Sequence, residues 1–595
     1  MSVAPLHPRS DDSRQRLWEE PRAADLVELI ALPAARYPDL AAVHLCHHGP
    51  EPETVTWGGL WEAACREAAR LRREGVAPGD RVVLVLSTSR EFLAAFFGAV
   101  LAGALPVPAA PPHSLRGGAL EAHAELLLSI VRDSGARACL SLPRTLAALG
   151  PALAAEPGLR LLPCPEAGPA AGPVEIPRPG PAATAFLQYT SGSTSRPKGV
   201  LLSHRSVLAN AEGIAQRIVS PGTVGLSWLP LHHDMGLIGT LLTGLYARVP
   251  VVLMPPQAFI KDPARWLLAV SEYGATLTVA PNFAFDYCVR NVQPGDLAGA
   301  RLDTLETALN GAEPIDAETV AEFESRFRPF GLRAGIVRPV YGLAESALAV
   351  TFSEPGRLRT DRVDAARLES EGRAAPVRPG ARSLSLVSVG RPIPGQRVRI
   401  ADARGRLLPE RQVGEVQVSG PSVMSGYHNR PAESAAALRD GWLCTGDLGY
   451  LAGGELFLTG RSKDLIIRQG RNYHPQDIEH AAGRVEGVRR EGVAAFGVED
   501  PLGTSVVVVA ETRLRDAGDL AQAERRMRER VHDALLLPLA EVLLVPRGTL
   551  PRTTSGKLRR QECRRLYLAG ELGRTQRGAA APPPAAQAEN GPAAP

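Results

Sequence analysis

Short apolar runs alternate with helix-length segments through most of this 595-residue chain, and that alternation restricts its fold more than any other feature. The run DRVVLVLS from Asp80 has the length of a buried strand, Ser89 can cap a helix reaching Ala102, and residues 105–108 return as a second strand. Residues 226–231 and 249–254 flank an apolar helix, residues 263–273 form a helix ahead of the strand ATLTVA, and residues 317–327 precede a strand over 335–340. A strand, a crossover helix and a further strand pair in parallel. Repeated units therefore predict parallel sheets covered by helices, with ligands at the strand ends.

The stretch FLQYTSGSTSRPKGV, residues 186–200, interrupts this pattern with chemistry. An apolar strand ends at Gln188 and Tyr189, and Thr190, Ser191, Gly192, Ser193, Thr194 and Ser195 follow with no hydrophobic anchor. Gly192 permits backbone angles in which successive N–H groups converge on one anion, and the hydroxyls add donors without bulk. Lys198 supplies a point charge. The loop suits phosphate, although a polar hairpin turn is made of the same residues. No Gly-Lys-Ser/Thr follows at the spacing of a Walker A loop, which excludes that motif. Ser203 caps a following helix, but residues 200–202 intervene as a strand. Loop amides and Lys198, rather than a helix dipole, must hold the anion.

Lysine is scarce. Of 67 basic residues only Lys198, Lys261, Lys463 and Lys557 are not arginine, and three of these neighbour glycine-rich or acid-flanked turns. A compact ammonium gripping one oxygen in a crowded pocket is not replaceable by a planar fork. The net charge of +4 is mild and the arginines are spread, so nothing calls for nucleic acid. Seven scattered cysteines without a C-x-x-C pair argue against zinc or a disulfide frame and for a reducing compartment. Residues 92–110, the one membrane-like stretch, are broken by Gly98, Gly103, Pro106 and Pro108 and read as a buried helix and strand. We expect a cytoplasmic protein with no membrane span.

The expected organisation is α/β. A loose N-terminus (1–20) leads into a large N-terminal domain (21–460) of parallel sheets covered by helices. That domain includes a charged, weakly periodic insertion (353–386) and a β-rich subdomain (about 387–460). A hinge (461–465) leads to a small α+β C-terminal domain (466–575), and an Ala/Pro-rich tail (576–595) lacks the apolar content to fold.

Several residues stand out. Glu345 in YGLAES, at the end of a strand beside Tyr341, could serve a Mg²⁺ ion, which takes few protein oxygens and completes its shell with phosphates, although a Glu at a helix start reads the same way. Asp447 in WLCTGDLGY could accept from two adjacent ribose hydroxyls, with a plain turn Asp as the rival reading. His232 and His233 in LPLHHDMGL could orient a carboxylate; with Asp234 they suggest a metal site, but no third ligand has suitable spacing. Lys557 in LPRTTSGKLRR sits on a turn of a small domain, where an ammonium could meet developing negative charge. ERRMRER and RRQECRR read as solvated helix faces or a basic docking surface.

The set YTSGSTSRPKG, YGLAES, TGDLG, GRSKDLII and PRTTSGK, in that order, resembles the adenylate-forming superfamily of acyl-CoA synthetases, peptide-synthetase adenylation domains and luciferases. WLPLHHDMGLIG, LNGAEPI, GRNYHPQDIE and the insertion after TFSEPG are most similar to its fatty acyl-AMP ligases. Val389, where that family usually has Cys, and an apparently transposed Tyr473-His474 are departures.

The resemblance implies that Thr190, Ser191, Gly192, Ser193, Thr194 and Lys198 hold the phosphates of ATP and that Glu345 holds Mg²⁺. It further implies that Gly311, Ala312, Glu313 and Tyr341 frame the adenine, that Asp447 and Arg461 hold the ribose, and that His233 lies near the acyl carboxylate. Lys557 would stabilise the α-phosphorus, and Asp464 would lie in the hinge. The implied reaction joins a medium- or long-chain fatty acid to AMP. The acyl group then passes to the phosphopantetheine thiol of an acyl carrier protein or a carrier domain of a polyketide or peptide synthase, and the insertion disfavours coenzyme A. The rivals are a fatty acyl-CoA ligase, an amino-acid-activating enzyme and a non-catalytic carrier-binding adaptor. Acyl length, carrier identity and oligomeric state have no sequence signature.

Overall fold

The computed structural model describes residues 12–20, 22–46, 53–164, 175–190, 197–356, 358–469, 471–500, 503–553 and 556–573. The chain divides between Ser462 and Lys463 into two compact units.

The expected β-α-β logic builds the first unit. Its nine-stranded sheet runs, in spatial order, through Arg391–Pro392, Ala349–Phe352, Val337–Gly342, Thr307–Asn310, Leu277–Ala280, Gly225–Ser227, Val251–Leu253, Ala41–Leu45 and Glu53–Thr56. The six strands from Val337–Gly342 to Ala41–Leu45 pair in parallel, and the outer strands are antiparallel. A second sheet, Leu105–Ala109, Arg81–Val85, Ala138–Ser141 and Arg160–Pro163, is wholly parallel. Its strands read as apolar runs because helices cover both faces. Ser89 caps the helix Arg90–Leu101 by accepting from the Phe92 N–H, as its position predicts. That helix is apolar almost all round because it packs against Trp57–Arg73. A Cβ on Gly98 would lie 2.5 Å from Cβ of Glu67, so the close helix approach requires glycine there. The 92–110 stretch is this helix and the following strand. No helix among the described residues is long and apolar enough to cross a membrane.

Three elements differ from expectation. The strand before the hydroxyl-rich loop, Thr184–Thr190, pairs antiparallel with Lys198–Ser203, bringing Thr190 opposite Lys198. The residues that connect the two strands, 191–196, lie outside the described residues. Residues 353–386 are more regular than their weak periodicity suggests. Thr360–Asp364 and Ser383–Val387 form an antiparallel pair around the helix Ala365–Glu371, which Asp364 caps through the Arg367 N–H. Val363, Leu368 and the nearby Ala374, with half-buried Leu384 and Leu386, pack with Tyr450, Ala452 and Phe457 from a later part of the chain. Finally, Asp12–Glu19, inside the segment expected to be loose, is helical; Leu17 is buried and the Leu17 and Glu20 carbonyls accept from the Arg248 guanidinium. Residues 576–595 lie outside the described residues.

The β-rich region has the strands its short runs predict: Arg397–Ala401, Gly414–Ser419, Trp442–Ala452 and Glu455–Arg461, successively antiparallel. In the second unit Val488–Asp500 pairs antiparallel with Gly503–Thr512, which pairs in parallel with Glu541–Pro546 after the crossover helix Ala517–Leu535. Asp516 caps that helix, and Met527 and Val531 bury its apolar stripe against Ile478 and Val508.

Candidate active site

Parallel strands direct their C-terminal ends to one edge of a sheet, and the 311–313 turn, Tyr341 and Glu345 emerge there, whereas Thr190 and Lys198, and Asp447 and Arg461, lie on antiparallel strand pairs. Thr307–Asn310 ends in Gly311, Ala312 and Glu313, beside Val337–Gly342, which carries Tyr341. A Cβ on Gly311 would stand 2.6 Å from Val340 Cγ2, and Ala312 takes a φ of 68°. This turn therefore hugs the neighbouring strand. The Glu313 carboxylate accepts from the Phe283 N–H at 3.1 Å, which spends its charge on holding the loop.

Tyr341 is buried, and its hydroxyl donates to Asp447 Oδ2 at 2.6 Å. Burial, then the neighbouring Asp447, pushes the phenol well above its ordinary range, so it stays a donor. The other carboxylate oxygen of Asp447 pairs with Arg461 Nε at 2.9 Å across the antiparallel strands. Each carboxylate oxygen has a second lone pair available, so Asp447 can still accept from a vicinal diol.

Glu345 occupies a 3₁₀ turn, Ala344–Ser346, directly after the Tyr341 strand. Buried Asn210 fixes this turn by donating to the Ser346 and Ala349 carbonyls. Burial raises the Glu345 carboxyl, while the hydrogen bond from the Tyr427 hydroxyl, 3.0 Å to Oε1, opposes that shift. The ring of Tyr427 lies 5.1 Å beneath Nζ of Lys198, which also pairs with Glu433. One tyrosine thus joins the hairpin lysine to the strand-end glutamate. Its own strand, Gly426–Tyr427, pairs with Leu201 and Val200 of the hairpin.

The histidine pair is tied to the hairpin. Gln188, at the end of the first hairpin strand, donates to the His232 carbonyl at 2.8 Å. His233 Nδ1 lies 2.7 Å from Asp234 Oδ1, which orients the ring, and Asp234 caps the π-helix Met235–Leu242. His232 Nε2 has no hydrogen-bond partner among the described residues, and burial lowers its pKa to about 3.

Lys557 and Asp464 belong to the second unit. The Lys557 N–H donates to Thr553 Oγ1 at 3.1 Å, and its carbonyl accepts from the Thr553 N–H at 2.8 Å. Asp464 closes the short turn Ser462–Asp464 and accepts from Arg560 and Gln561. Ser191, Gly192, Ser193 and Thr194 lie outside the described residues, so of the predicted phosphate loop the structure places Thr190 and Lys198.

Tyr427, Gln188 and Glu433 were not anticipated. Tyr427 lies 82 residues beyond Glu345, in a stretch, SGYHNRP, with no chemical signature of its own. Among the described residues no three His, Cys, Asp or Glu groups cluster as a metal cage. That leaves the hard oxygen of Glu345, a donor suited to a cation completed by phosphate oxygens.

The Tyr473-His474 pair has an electrostatic consequence. His474 is buried just ahead of the helix Pro475–Gly483, its Nδ1 without a partner among the described residues, and burial lowers its pKa to about 4. Above pH 6.5 the imidazole is neutral both folded and unfolded. As pH falls from there toward 4, only the unfolded chain takes the proton, and stability is lost. We expect His474 to cost roughly 2 kcal/mol at pH 4.5 relative to pH 7.5. His474→Leu should remove that part of the shift in the urea midpoint; an unchanged pH dependence would contradict it.

Comparison with known proteins shows the family. Residues 31–428 match the family of AMP-binding enzymes. The chain is 36% identical over 556 residues to the long-chain-fatty-acid–AMP ligase FadD26 of Mycobacterium marinum, covering 87% of this chain and 91% of that one. It is 33% identical over 592 residues to the 4-hydroxyphenylalkanoate adenylyltransferase of Mycobacterium tuberculosis, covering 93% of each. A solved chain from a study of fatty acyl-adenylate ligases of E. coli and L. pneumophila superposes with a TM-score of 0.86 at 34% identity, covering 93% of this chain and 99% of that one. The L. pneumophila ligase in complex with acyl adenylate and pyrophosphate gives 0.71 at 31% identity, covering 95% and 98%. With a family match across more than half of its length and relatives of this identity along nearly all of it, the chain belongs to the AMP-binding enzymes, in the branch of the fatty acyl-AMP ligases.

Proposed function

We propose that this enzyme activates a medium- or long-chain fatty acid with ATP, releasing pyrophosphate, and passes the acyl group to the phosphopantetheine thiol of an acyl carrier protein. The observation that carries the nucleotide half is the convergence of Tyr341, Asp447 and Arg461 beside the Lys198–Tyr427–Glu345 chain, at the end of the parallel strand that carries Tyr341.

In this reading Asp447 and Arg461 receive the ribose and the 311–313 turn flanks the adenine. Thr190 and Lys198, with Ser191, Gly192, Ser193 and Thr194, take the phosphates. Glu345 would hold Mg²⁺, which when bound offsets phosphate charge. An oxygen of the fatty carboxylate, oriented by His233, attacks the α-phosphorus. The bond from that phosphorus to the bridging oxygen breaks, and the electron pair leaves with pyrophosphate. Lys557 neutralises charge that builds on the α-phosphoryl oxygens. Positioning and charge neutralisation suffice for such a transfer, so no covalent enzyme intermediate is needed.

The acyl tail has a candidate end point. A cavity of about 30 Å³ lies between the π-helix and the sheet, lined by Gly239, Thr240, Thr243, Leu277, Val279 and Leu309. Its threonine hydroxyls are spent on backbone carbonyls, Thr240 on Met235 and Thr243 on Ile238, which leaves a largely apolar wall. It has room for roughly one water-sized group and suits a chain terminus. The preference for a carrier protein over coenzyme A follows from the resemblance, which assigns it to the insertion; here that insertion is a folded element tied to the β-rich region by Asp361, which accepts from Tyr450 and Arg411.

Mass spectrometry tests the reading. The enzyme is given ATP with a pooled set of fatty acids, 4-hydroxyphenylalkanoates and amino acids, and then either coenzyme A or a holo carrier protein. We expect fatty acyl-adenylates and acylated carrier. Aminoacyl-adenylates alone, or thioester on coenzyme A alone, would overturn it.

A further inference from the structure

The second unit holds a carboxylate that the reaction above does not use. Glu511, near the end of Gly503–Thr512, is fully buried, with 0% of its surface exposed. A buried charge is tolerated only when paired and hydrogen-bonded on all sides, and Glu511 meets that condition. Oε1 accepts from the N–H groups of Gly548 and Leu550 at 2.9 and 3.1 Å. Oε2 accepts from Arg489 at 3.0 Å and lies 3.9 Å from Arg552. Both N–H donors belong to the segment running from the strand Glu541–Pro546 toward the Lys557 turn.

Arg552 carries this anchorage to the turn itself. Its two terminal nitrogens donate to the carbonyls of Gly556, at 2.8 Å, and Glu491, at 2.5 Å. The Gly556 carbonyl is the peptide oxygen immediately before Lys557. Gly556 has a φ of 87°, a conformation in which the chain reverses, and Arg552 bridges to Leu558 on the returning side. Arg559 closes the turn by donating its N–H to the Pro551 carbonyl at 3.0 Å. A planar guanidinium can span a buried carboxylate and two carbonyls at once, which a lysine ammonium cannot do with fixed direction.

We propose that Glu511 and Arg552 are positioning residues for adenylation: the buried carboxylate fixes the guanidinium, and the guanidinium fixes the peptide from which Lys557 projects. This rests on the proposed role of Lys557. An ammonium that acts on charge developing in the transition state gains most from being held in place beforehand, and a displacement of about 1 Å can cost 10²-fold.

The test uses the full-length enzyme and measures fatty acid-dependent pyrophosphate release, acyl-adenylate binding and thermal unfolding for Arg552→Ala, Arg552→Lys, Glu511→Gln, Lys557→Ala and the double variant Arg552→Ala/Lys557→Ala. We expect Arg552→Ala to lower kcat about 10²-fold with the KM for ATP unchanged. Arg552→Lys should recover only part of that loss. Glu511→Gln, which keeps an acceptor for the two N–H groups, should show a smaller drop of the same kind. The double variant should be no slower than Lys557→Ala alone, because both substitutions remove one function. Full additivity in the double variant, or kcat within twofold of the parent in Arg552→Ala beside an inactive Lys557→Ala, overturns the positioning role alone. An active Lys557→Ala overturns the lysine assignment, and the proposal with it. If Arg552→Ala fails to fold, Arg552→Lys and Glu511→Gln decide: kcat equal to the parent in both rejects the proposal.

Discussion

Lys557→Ala is expected to lower kcat for acyl-adenylate formation by about 10²–10³ while leaving the KM for ATP nearly unchanged. The reasoning is electrostatic. A side chain that meets charge appearing only in the transition state contributes to the barrier and not to ground-state binding, and removing one such donor costs about 2.7–4 kcal/mol. The lysine turn is held by main-chain and threonine contacts that alanine preserves, because its bonds to Thr553 use the Lys557 N–H and carbonyl. The variant should therefore fold. Transfer of the acyl group from supplied acyl-adenylate to a holo carrier protein should survive within a few-fold, since in that step the thiol attacks the acyl carbon, the acyl C–O bond breaks and AMP leaves with the electron pair, so no pentavalent phosphorus forms. Pyrophosphate release and carrier acylation, measured on one preparation, check the division. Equal loss in both would show that Lys557 serves the protein and not the first step.

Asp447→Asn is expected to act on the other kinetic constant. A ribose contact has nearly the same strength in the bound substrate and in the transition state, so its loss raises KM and spares kcat. Hydrogen bonds to a charged group are worth about 1.5–3 kcal/mol, which corresponds to a rise of roughly 10- to 100-fold in the KM for ATP. Asparagine keeps an acceptor for the Tyr341 hydroxyl but gives up the ion pair with Arg461, now 2.9 Å from Oδ1. Calorimetric titration with ATP should report the same weakening. A fall in kcat at constant KM would place Asp447 near the reacting atoms and reject the ribose assignment. The two variants together separate binding from chemistry.

The residues differ in how far they could be read without coordinates. Ser89 and Ser203 announced their helices because capping is local, a side-chain oxygen meeting N–H groups two or three residues on. Parallel pairing was legible from crossover spacing for the same reason: a connection long enough for a helix leaves few alternatives. The insertion was not legible as structure. Its apolar residues are too sparse to show a period, and what buries them, Tyr450 and Phe457, comes from strands some ninety residues later. Tyr427 escaped for a related reason: nothing near it in the chain suggests that its hydroxyl serves one predicted residue while its ring faces another. Glu511 has no local sequence signature, and only its complete burial marks it.

Sequence alone determined the alternation of strand and helix, the hydroxyl-rich turn with its lysine, and the carboxylates and ammonium suited to a nucleotide, because each of these depends on neighbours within a few residues. Only the tertiary structure decided that Tyr341 grips Asp447, that Tyr427 links Lys198 with Glu345, and that a buried Glu511 lies 3.9 Å from the arginine that donates to the Gly556 carbonyl. Most of these partners are tens to more than two hundred residues apart. Their pairing follows from desolvation, which leaves a buried polar group no stable option but to find its complement wherever the fold brings one within reach.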